Sequence, residues 1–151
     1  KIVGTSGKVI GVDMTEEMIK KAEENAEKYN HKNVEFRFGD IENLPVEDNS
    51  IDIIISNCVI NLAPNKLKVF QEAYRVLKSG GRITVSDIVT DGPLPQEIKD
   101  NPDKWAACVS GALEVNEYLE KIKSAGFKDI EVLSKRSSGI ISSAEVQAFK
   151  P

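Results

Sequence analysis

Short apolar runs and segments of helical spacing alternate along the chain. Strands are predicted where β-branched or alternating apolar residues cluster, at 8–12, 33–38, 51–56, 82–89, 130–133 and 145–149. Helices are predicted where apolar residues recur at every third or fourth position, at 15–29, 64–80 and 116–126. Strands that alternate with helices in this way predict an α/β fold with a doubly wound, mostly parallel sheet, which the last two strands finish as an antiparallel part.

The stretch from Ile51 to Leu62, I-D-I-I-I-S-N-C-V-I-N-L, begins as a strand and ends as a candidate site. Its near-continuous isoleucines are typical of a strand that is covered on both faces in a parallel sheet. Polar residues and a cysteine follow, at Ser56, Asn57, Cys58 and Asn61. Ligands of open parallel sheets bind at the carboxyl ends of the strands, so this is where chemistry is expected.

Local signals predict where the helices begin and end. Thr15 is a candidate N-cap, and acidic residues follow it in the first helical turn. Gly80 and Gly81 predict the end of the second helix, as C-cap glycines do. Asn116 is the start signal of the third helix. Residues 91–103 hold three prolines and no periodicity, which predicts a mobile connection.

Composition narrows the class of protein. A chain of 151 residues, 40% hydrophobic and 29% charged, is long enough for a core and is predicted to form a single domain, 1–151. A net charge of −4 gives no basic surface, so no nucleic-acid partner is expected. No apolar run approaches the roughly 20 residues of a membrane helix, so no membrane association is expected. Residues 1–7 lack the apolar region of a signal peptide.

The cysteine and histidine content limits the chemistry further. The two cysteines, Cys58 and Cys108, are far apart and form no C-x-x-C pair. This favours free thiols in a reducing compartment, hence a cytoplasmic location, over a disulfide scaffold or a four-ligand zinc site. The one histidine, His31, lies in a polar loop, so neither a Ser-His-Asp triad nor a histidine metal cluster is expected.

Two acidic residues end neighbouring predicted strands. Asp13 follows the strand at 8–12, with Met14 beside it, and Asp40 follows the strand at 33–38, with Ile41 beside it. A carboxylate at the end of a strand can accept hydrogen bonds from both hydroxyls of a ribose. For either acid alone, a solvated strand end is the favoured explanation. As a pair they favour a nucleoside site, with one acid for the ribose and the other for an exocyclic amine.

Three segments resemble class I S-adenosylmethionine-dependent methyltransferases. They are G-V-D-M-T-E-E-M-I-K-K-A, F-G-D-I-E-N-L-P-V-E-D-N-S-I-D-I-I-I-S-N and E-A-Y-R-V-L-K-S-G-G-R. Two shorter segments, S-N-C-V-I-N-L and W-A-A-C-V-S-G-A-L, together resemble arsenite methyltransferases more narrowly. The resemblance covers residues 7–133. It implies a Rossmann-like methyltransferase fold, S-adenosylmethionine as cofactor and a trivalent arsenical as substrate.

The resemblance also implies roles for seven residues. Asp13 and Met14 would bind the ribose side of the cofactor, Asp40 and Ile41 the adenine, and Asn57 the methionine part. Cys58 and Cys108 match the family cysteines that bind arsenic(III). Soft thiolates select thiophilic centres, which supports that assignment from the residues themselves. The resemblance also implies a thiol reductant as a partner, either glutathione or thioredoxin.

The chain departs from the family pattern at its start. In class I methyltransferases a first strand and a glycine-rich cofactor loop precede the segment that corresponds to Lys1, and the arsenite enzymes carry a further cysteine upstream. The chain is therefore expected to be an N-terminally truncated, inactive piece of a monomeric protein. Removing the first strand leaves a gap of ~9.5 Å between the strands at 8–12 and 51–56. We expect those strands to pair directly, or another chain to fill the gap by self-association.

Two other functions fit the same residues. One is a class I methyltransferase for a small organic acceptor, such as a quinone or a sterol, in which both cysteines are structural, as buried free cysteines commonly are. The other is a thiol-based metalloid-binding module without catalysis. Binding of arsenite and of S-adenosylmethionine distinguishes the three functions.

Overall fold

The computed structural model of the protein describes residues 2–99 and 108–151. It divides into two compact units, Lys1–Pro45 and Val46–Pro151, here called the N-terminal and C-terminal units. The N-terminal unit contains β1 (Val9–Asp13), α1 (Glu16–Lys28) and β2 (Val34–Phe38). The C-terminal unit contains β3 (Ile51–Asn57), a 3-10 turn (Ile60–Leu62), α2 (Lys66–Val76), β4 (Leu77–Thr90), α3 (Gln96–Lys99), α4 (Val115–Ser124), β5 (Lys128–Ser138) and β6 (Ile141–Phe149).

The N-terminal unit is one parallel strand pair with a helix. Val9 lies opposite Val34 and Asp13 opposite Phe38, so the two strands end at the same edge. In the predicted apolar stripe of α1, Ile19 is half-buried but Met18 is 50% exposed. No residue of α1 is fully buried. A unit of two strands has too little surface to cover a whole helix face.

The C-terminal unit is a four-stranded mixed sheet in the order β3-β4-β6-β5. β3 and β4 are parallel, whereas β6 runs antiparallel to both β4 and β5. Residues on α2, on α4 and just after α4 supply the aromatic core. Phe70 of α2 meets Tyr118 of α4 edge to face at 5.4 Å, and Tyr74 of α2 meets Phe127, which follows α4, in the same way at 5.3 Å. The predicted α/β fold, with parallel pairs first and an antiparallel end, is confirmed.

The expected burial of β3 is wrong. Ile53 is 46% and Ile55 80% exposed, although the isoleucine run is typical of a strand covered on both faces. The reason is that β3 is an edge strand of its sheet, paired only with β4 among the described residues. The expected direct pairing of β1 with β3 is also wrong, because the two strands belong to different sheets. Among the described residues, β1 pairs with β2, and β3 pairs with β4.

Helix α2 ends four residues before the predicted glycine cap. Val76 is its last residue, and Leu77 already has extended dihedral angles. The carbonyl groups at this end find partners outside the helix: Arg75 O accepts from the backbone N–H of Asn49 at 3.0 Å, and Val76 O from that of Ser50 at 2.9 Å. With those carbonyls satisfied, the chain turns into strand β4 without needing a glycine.

Three smaller predictions also need correction. Thr15 stands at the N-cap of α1 but makes no capping bond with its side chain. Helix α4 begins after Glu114, so Asn116 lies inside it. The connection at 91–103 contains the short helix α3, and its last four residues lie outside the described part. In the described ranges, no helix is long and apolar enough to cross a membrane.

Candidate functional site

Cys58 follows β3 at the predicted position, the carboxyl edge of the sheet of the C-terminal unit. Its backbone N–H donates to Ser86 O of β4 at 2.8 Å, which continues the parallel pairing one residue past the strand. Cys58 then adopts a φ of 55°, in the left-handed region. That turn ends the strand, starts the 3-10 turn and leaves the cysteine exposed.

Cys108 meets Cys58 across 50 residues of sequence. Its thiol donates to Cys58 O, with a sulfur–oxygen distance of 2.9 Å, and the residue is buried. Like Cys58, it has a positive φ, of 61°. A non-glycine residue in this region costs on the order of 1–3 kcal/mol and persists only where the surroundings enforce it. The two predicted thiol residues therefore share one site, and both are held in strained backbone.

Asn61 connects the two cysteine segments. Its side-chain amide donates to Ile88 O of β4 at 2.7 Å and to Cys108 O at 3.2 Å, and the residue is completely buried. It thereby fixes the backbone of Cys108 against the same strand that fixes Cys58. The sequence placed Asn61 among the residues where chemistry is expected, but its bridging contacts with Ile88 and Cys108 could not be predicted from it.

Asp87 is a residue of this region that the sequence did not point to. It lies in β4, is 1% exposed, and accepts a hydrogen bond from the Tyr118 hydroxyl at 2.8 Å. Burial raises the pKa of Asp87 to about 6, against the opposing effects of the Tyr118 hydrogen bond and the Lys66 charge. The sequence did contain one signal for Asp87, an acidic residue within a strand of β-branched residues. Charged residues are rarely buried without a partner, so such a residue suggests a buried interaction.

The electrostatics of the site favour the protonated form of Cys108. Burial raises the pKa of the Cys108 thiol, and the charges of Cys58 and Asp87 raise it further. The pKa of Tyr118 is raised in the same way, by burial and then by Asp87. Cys108 is therefore a neutral S–H donor near pH 7, consistent with its bond to Cys58 O.

The buried carboxyl group makes stability depend on pH. Because the pKa of Asp87 is higher in the folded state (about 6) than its ordinary value of 3.8, the folded protein binds more protons between these values. Folding is therefore favoured at low pH, and this contribution is lost as the pH rises through about 6. The free energy of unfolding of the unaltered protein should fall by roughly 2–3 kcal/mol between pH 4 and pH 7.5 because of this carboxyl group. We expect Asp87→Asn to remove that fall.

Denaturant unfolding of both proteins across this pH range is the measurement. The relevant quantity is the difference in pH slope, because the substitution changes the absolute stability as well. Parallel slopes for the two proteins would contradict a raised pKa in the folded state.

The acidic pair lies in the N-terminal unit, at one edge of the β1-β2 pair. Gly39 N–H donates to Asp13 O at 3.0 Å, which brings the chain before Asp40 beside the end of β1. Asp13 Oδ1 accepts from both the backbone N–H and the hydroxyl of Thr15, at 2.9 and 2.6 Å. Asp40 Oδ1 accepts from the backbone of Glu42 at 2.8 Å. Two carboxylates at adjacent strand ends suit the hydroxyl and amine donors of a nucleoside.

Of the other predicted cofactor residues, Met14 and Ile41 lie in the N-terminal unit and Asn57 lies in the C-terminal unit. Met14 is 68% exposed beside Asp13, and Ile41 is half-buried beside Asp40. Asn57 ends β3 opposite Ser86 and is exposed next to Cys58. A pocket of ≈ 330 Å³ also opens in the C-terminal unit, lined in part by Lys66, Ser110 and Glu117; it includes none of the predicted site residues.

Residues 1–126 match a family described as a methyltransferase domain. The chain is 49% identical over 136 residues to an arsenite methyltransferase of Halobacterium salinarum, covering 90% of this chain and 35% of that relative. It is 43% identical over 136 residues to an arsenite methyltransferase of Homo sapiens, covering 84% of this chain and 36% of the relative. The chain thus spans little more than a third of the length of these curated relatives.

The fold comparison agrees with the sequence comparison. The crystal structure of an arsenic(III) S-adenosylmethionine methyltransferase from Chlamydomonas reinhardtii is similar, with a TM-score of 0.90 and 35% identity. The match covers 99% of this chain and 57% of that one. Taken with the match over residues 1–126, this confirms the predicted superfamily: the chain belongs to the methyltransferase domain family.

Proposed function

We propose that this chain takes part in the methylation of trivalent arsenic by S-adenosylmethionine, with Cys58 and Cys108 as the arsenic ligands. The observation that carries the proposal is the hydrogen bond from the Cys108 thiol to Cys58 O at 2.9 Å. Two free thiol residues, 50 positions apart in sequence, meet there in strained backbone conformations. The named similarity to arsenite methyltransferases supports the same substrate.

The ligand chemistry fits the protonation state of the site. Arsenous acid, As(OH)₃, is uncharged near neutral pH and exchanges hydroxide for thiolate. Each thiol proton leaves with one hydroxide as water, so a neutral Cys108 thiol supplies the proton that the leaving group needs. Thiolate ligands also select a soft centre over hard cations such as Mg²⁺.

Methyl transfer to this substrate needs no general base. Arsenic(III) carries a lone pair, which serves as the nucleophile, so no proton has to be removed from it. The contribution of the chain would be to hold the arsenic in a fixed orientation towards the methyl group that the cofactor supplies. This agrees with a site built from thiols and a buried amide.

The acidic edge of the N-terminal unit provides the proposed cofactor contacts. Asp13 and Met14 would hold the ribose, Asp40 and Ile41 the adenine, and Asn57 of the C-terminal unit the methionine part. When bound, S-adenosylmethionine supplies an electrophilic methyl group. A thiol reductant, glutathione or thioredoxin, is the proposed partner, because two neighbouring thiols must stay reduced to bind arsenic.

Calorimetric titration with arsenite tests the proposal. The reduced protein should bind arsenite, and Cys58→Ser or Cys108→Ser should weaken binding by roughly tenfold or more, because the second bond of a chelate forms at a high effective concentration. Val59→Ser is the matched control: it alters the residue next to Cys58, which is 42% exposed, without touching a thiol. Its affinity for arsenite should equal that of the unaltered protein.

A parallel titration with S-adenosylmethionine distinguishes the remaining functions. We expect these 151 residues to bind arsenite but to bind the cofactor weakly or not at all. Cofactor binding without arsenite binding would favour a methyltransferase for an organic acceptor with structural cysteines. Full arsenite affinity in either serine variant would refute the assigned ligands.

A further inference from the structure

Asn61 joins the segments of the two cysteines from a completely buried position. Its side-chain amide donates to Ile88 O of β4 at 2.7 Å and to Cys108 O at 3.2 Å. Its own backbone is held as well, since the Lys66 ammonium donates to Asn61 O at 3.2 Å. Breaking a buried hydrogen bond is costly because it leaves a desolvated group without that partner. The carbonyl group of Cys108 is therefore tied to β4 through Asn61.

The same strand holds Cys58. The backbone N–H of Cys58 donates at 2.8 Å to the carbonyl of Ser86, two residues before Ile88 in β4. Both cysteines have a positive φ, of 55° and 61°, which a residue other than glycine keeps only where its surroundings enforce it. One short segment of β4 therefore sets the position of both cysteine backbones, that of Cys58 directly and that of Cys108 through Asn61.

The two thiols differ in their access to solvent. Cys58 is exposed, whereas Cys108 is 7% exposed and its thiol donates to Cys58 O at a sulfur–oxygen distance of 2.9 Å. A dissolved arsenical can therefore reach Cys58 before it reaches Cys108. The Cys108 thiol must leave the Cys58 carbonyl to bond to arsenic, and rotation about its Cα–Cβ bond moves the thiol without moving the backbone that Asn61 holds.

We infer that Asn61 is a positioning residue of the thiol site: the exposed Cys58 takes up the arsenical first, and Asn61 holds Cys108 where its thiol closes the chelate. The inference rests on the proposed function and assigns the order of its two As–S bonds. In each step one S–H bond and one As–O bond break, one As–S bond forms and one water leaves, while arsenic stays trivalent. On arsenous acid a third hydroxyl remains exchangeable, so this order leaves room for a further thiol ligand.

A fixed backbone makes the second As–S bond effectively intramolecular. Once arsenic is on Cys58, a thiol that is held nearby reacts at a high effective concentration, which falls when the segment that carries the thiol can move away. Capture needs only the exposed thiol of Cys58, so this step sets the association rate. Closure needs the thiol of Cys108 in its place, so this step sets the dissociation rate. Loss of the two Asn61 bonds should therefore affect release of the arsenical and not its capture.

Stopped-flow kinetics on the reduced protein test the positioning role with two arsenicals. Phenylarsenous acid, C₆H₅As(OH)₂, has two exchangeable hydroxyls and takes two thiols, whereas dimethylarsinous acid, (CH₃)₂AsOH, takes one. Asn61→Leu keeps the branched shape of the side chain but has no donor. Phenylarsenous acid should associate with this variant at the unaltered rate and dissociate roughly tenfold faster or more, and the affinity for dimethylarsinous acid should stay the same. Asn116→Leu, the same substitution at an exposed position of α4, should change neither rate.

The two serine variants test the order of the bonds separately. Serine at position 108 keeps a hydroxyl that can donate to Cys58 O, so the local fold should be preserved. Cys108→Ser should capture phenylarsenous acid at the unaltered rate and release it faster. Cys58→Ser should capture it roughly tenfold more slowly or worse, because the remaining thiol is buried. Equal effects of the two variants on the association rate would overturn the order.

The positioning role and the proposed function fail in different ways. If Asn61→Leu loses affinity for both arsenicals, or for neither, the positioning role is wrong and the thiol ligands stand. If that variant does not fold, Gly111→Ala replaces it, since a Cβ atom there would lie 2.1 Å from Asn61 O, and the same difference between the arsenicals is expected. Failure of the unaltered protein to bind phenylarsenous acid would overturn the proposed function and this inference together.

Discussion

Replacing Lys150 by methionine should lower the free energy of unfolding by about 4 kcal/mol, because a buried ammonium that makes three hydrogen bonds is lost. Lys150 Nζ donates to Asn49 Oδ1 at 2.7 Å, to Tyr74 O at 2.8 Å and to Leu77 O at 2.7 Å. The ammonium also lies 4.6 Å from the centre of the Tyr74 ring. Methionine has nearly the same length and apolar volume, so the variant removes the donor and little else.

The size of this effect follows from where the acceptors lie. Tyr74 O and Leu77 O belong to the end of α2, where the last carbonyl groups have no partner within the helix. A positive charge at a helix C-terminus is favourable as well. Without Lys150, the backbone carbonyls of Tyr74 and Leu77 lose this donor, and the exposed Asn49 loses its bond to the ammonium. The helix end, the loop before β3 and the last strand lose their common attachment.

Denaturant unfolding of the variant measures the effect. Lys123→Met is the matched control, since the Lys123 side chain is 68% exposed and only 3.6 Å from an equally exposed Glu120. It should change the free energy of unfolding by less than about 0.5 kcal/mol. Similar stabilities for the two lysine variants would show that the buried bonds of Lys150 contribute nothing.

Replacing Gly111 by alanine should destabilise the protein by about 3 kcal/mol and weaken arsenite binding. A Cβ atom at Gly111 would lie 2.1 Å from Asn61 O and 3.1 Å from Asn61 C. Both obstacles are backbone atoms, so no side chain can rotate to relieve the clash. The segment that carries Cys108 must then move away from Asn61, which breaks the bond between the Asn61 amide and Cys108 O.

Gly92→Ala is the matched control for this substitution. A Cβ atom there would meet only Ile140 Cδ1, at 3.9 Å, an ordinary contact. The control should keep both stability and arsenite affinity, measured by denaturant unfolding and calorimetry. If Gly111→Ala binds arsenite as tightly as the control does, the close approach of residue 111 to Asn61 is not required for the thiol geometry.

The sequence by itself predicted the elements that local patterns encode. Apolar spacing gave β1, β2 and α1 within one or two residues, and the order of strands and helices gave the α/β class. Cys58 stood out because it follows the end of a strand, and both cysteines lie within segments that resemble the family. These features depend on residues close together in the chain, where periodicity and composition carry the information.

The tertiary structure alone decided how distant residues satisfy one another. Helix α2 ends at Val76 because its carbonyls find Asn49, Ser50 and a lysine 73 residues beyond Leu77, none of which a local cap rule includes. Ile53 and Ile55 of β3 are exposed, although the run is typical of a covered strand, because the strand lies at the edge of its sheet.

The thiol site shows the same division. Cys58 and Cys108 could be named from the sequence, but the bond between them could not, nor could the bridging amide of Asn61 or the burial of Asp87. Contacts over such separations depend on the packing of the whole unit, since each requires the strand β4 to lie beneath both cysteine segments. The identity of the thiols is a property of the sequence, whereas their common site is a property of the fold.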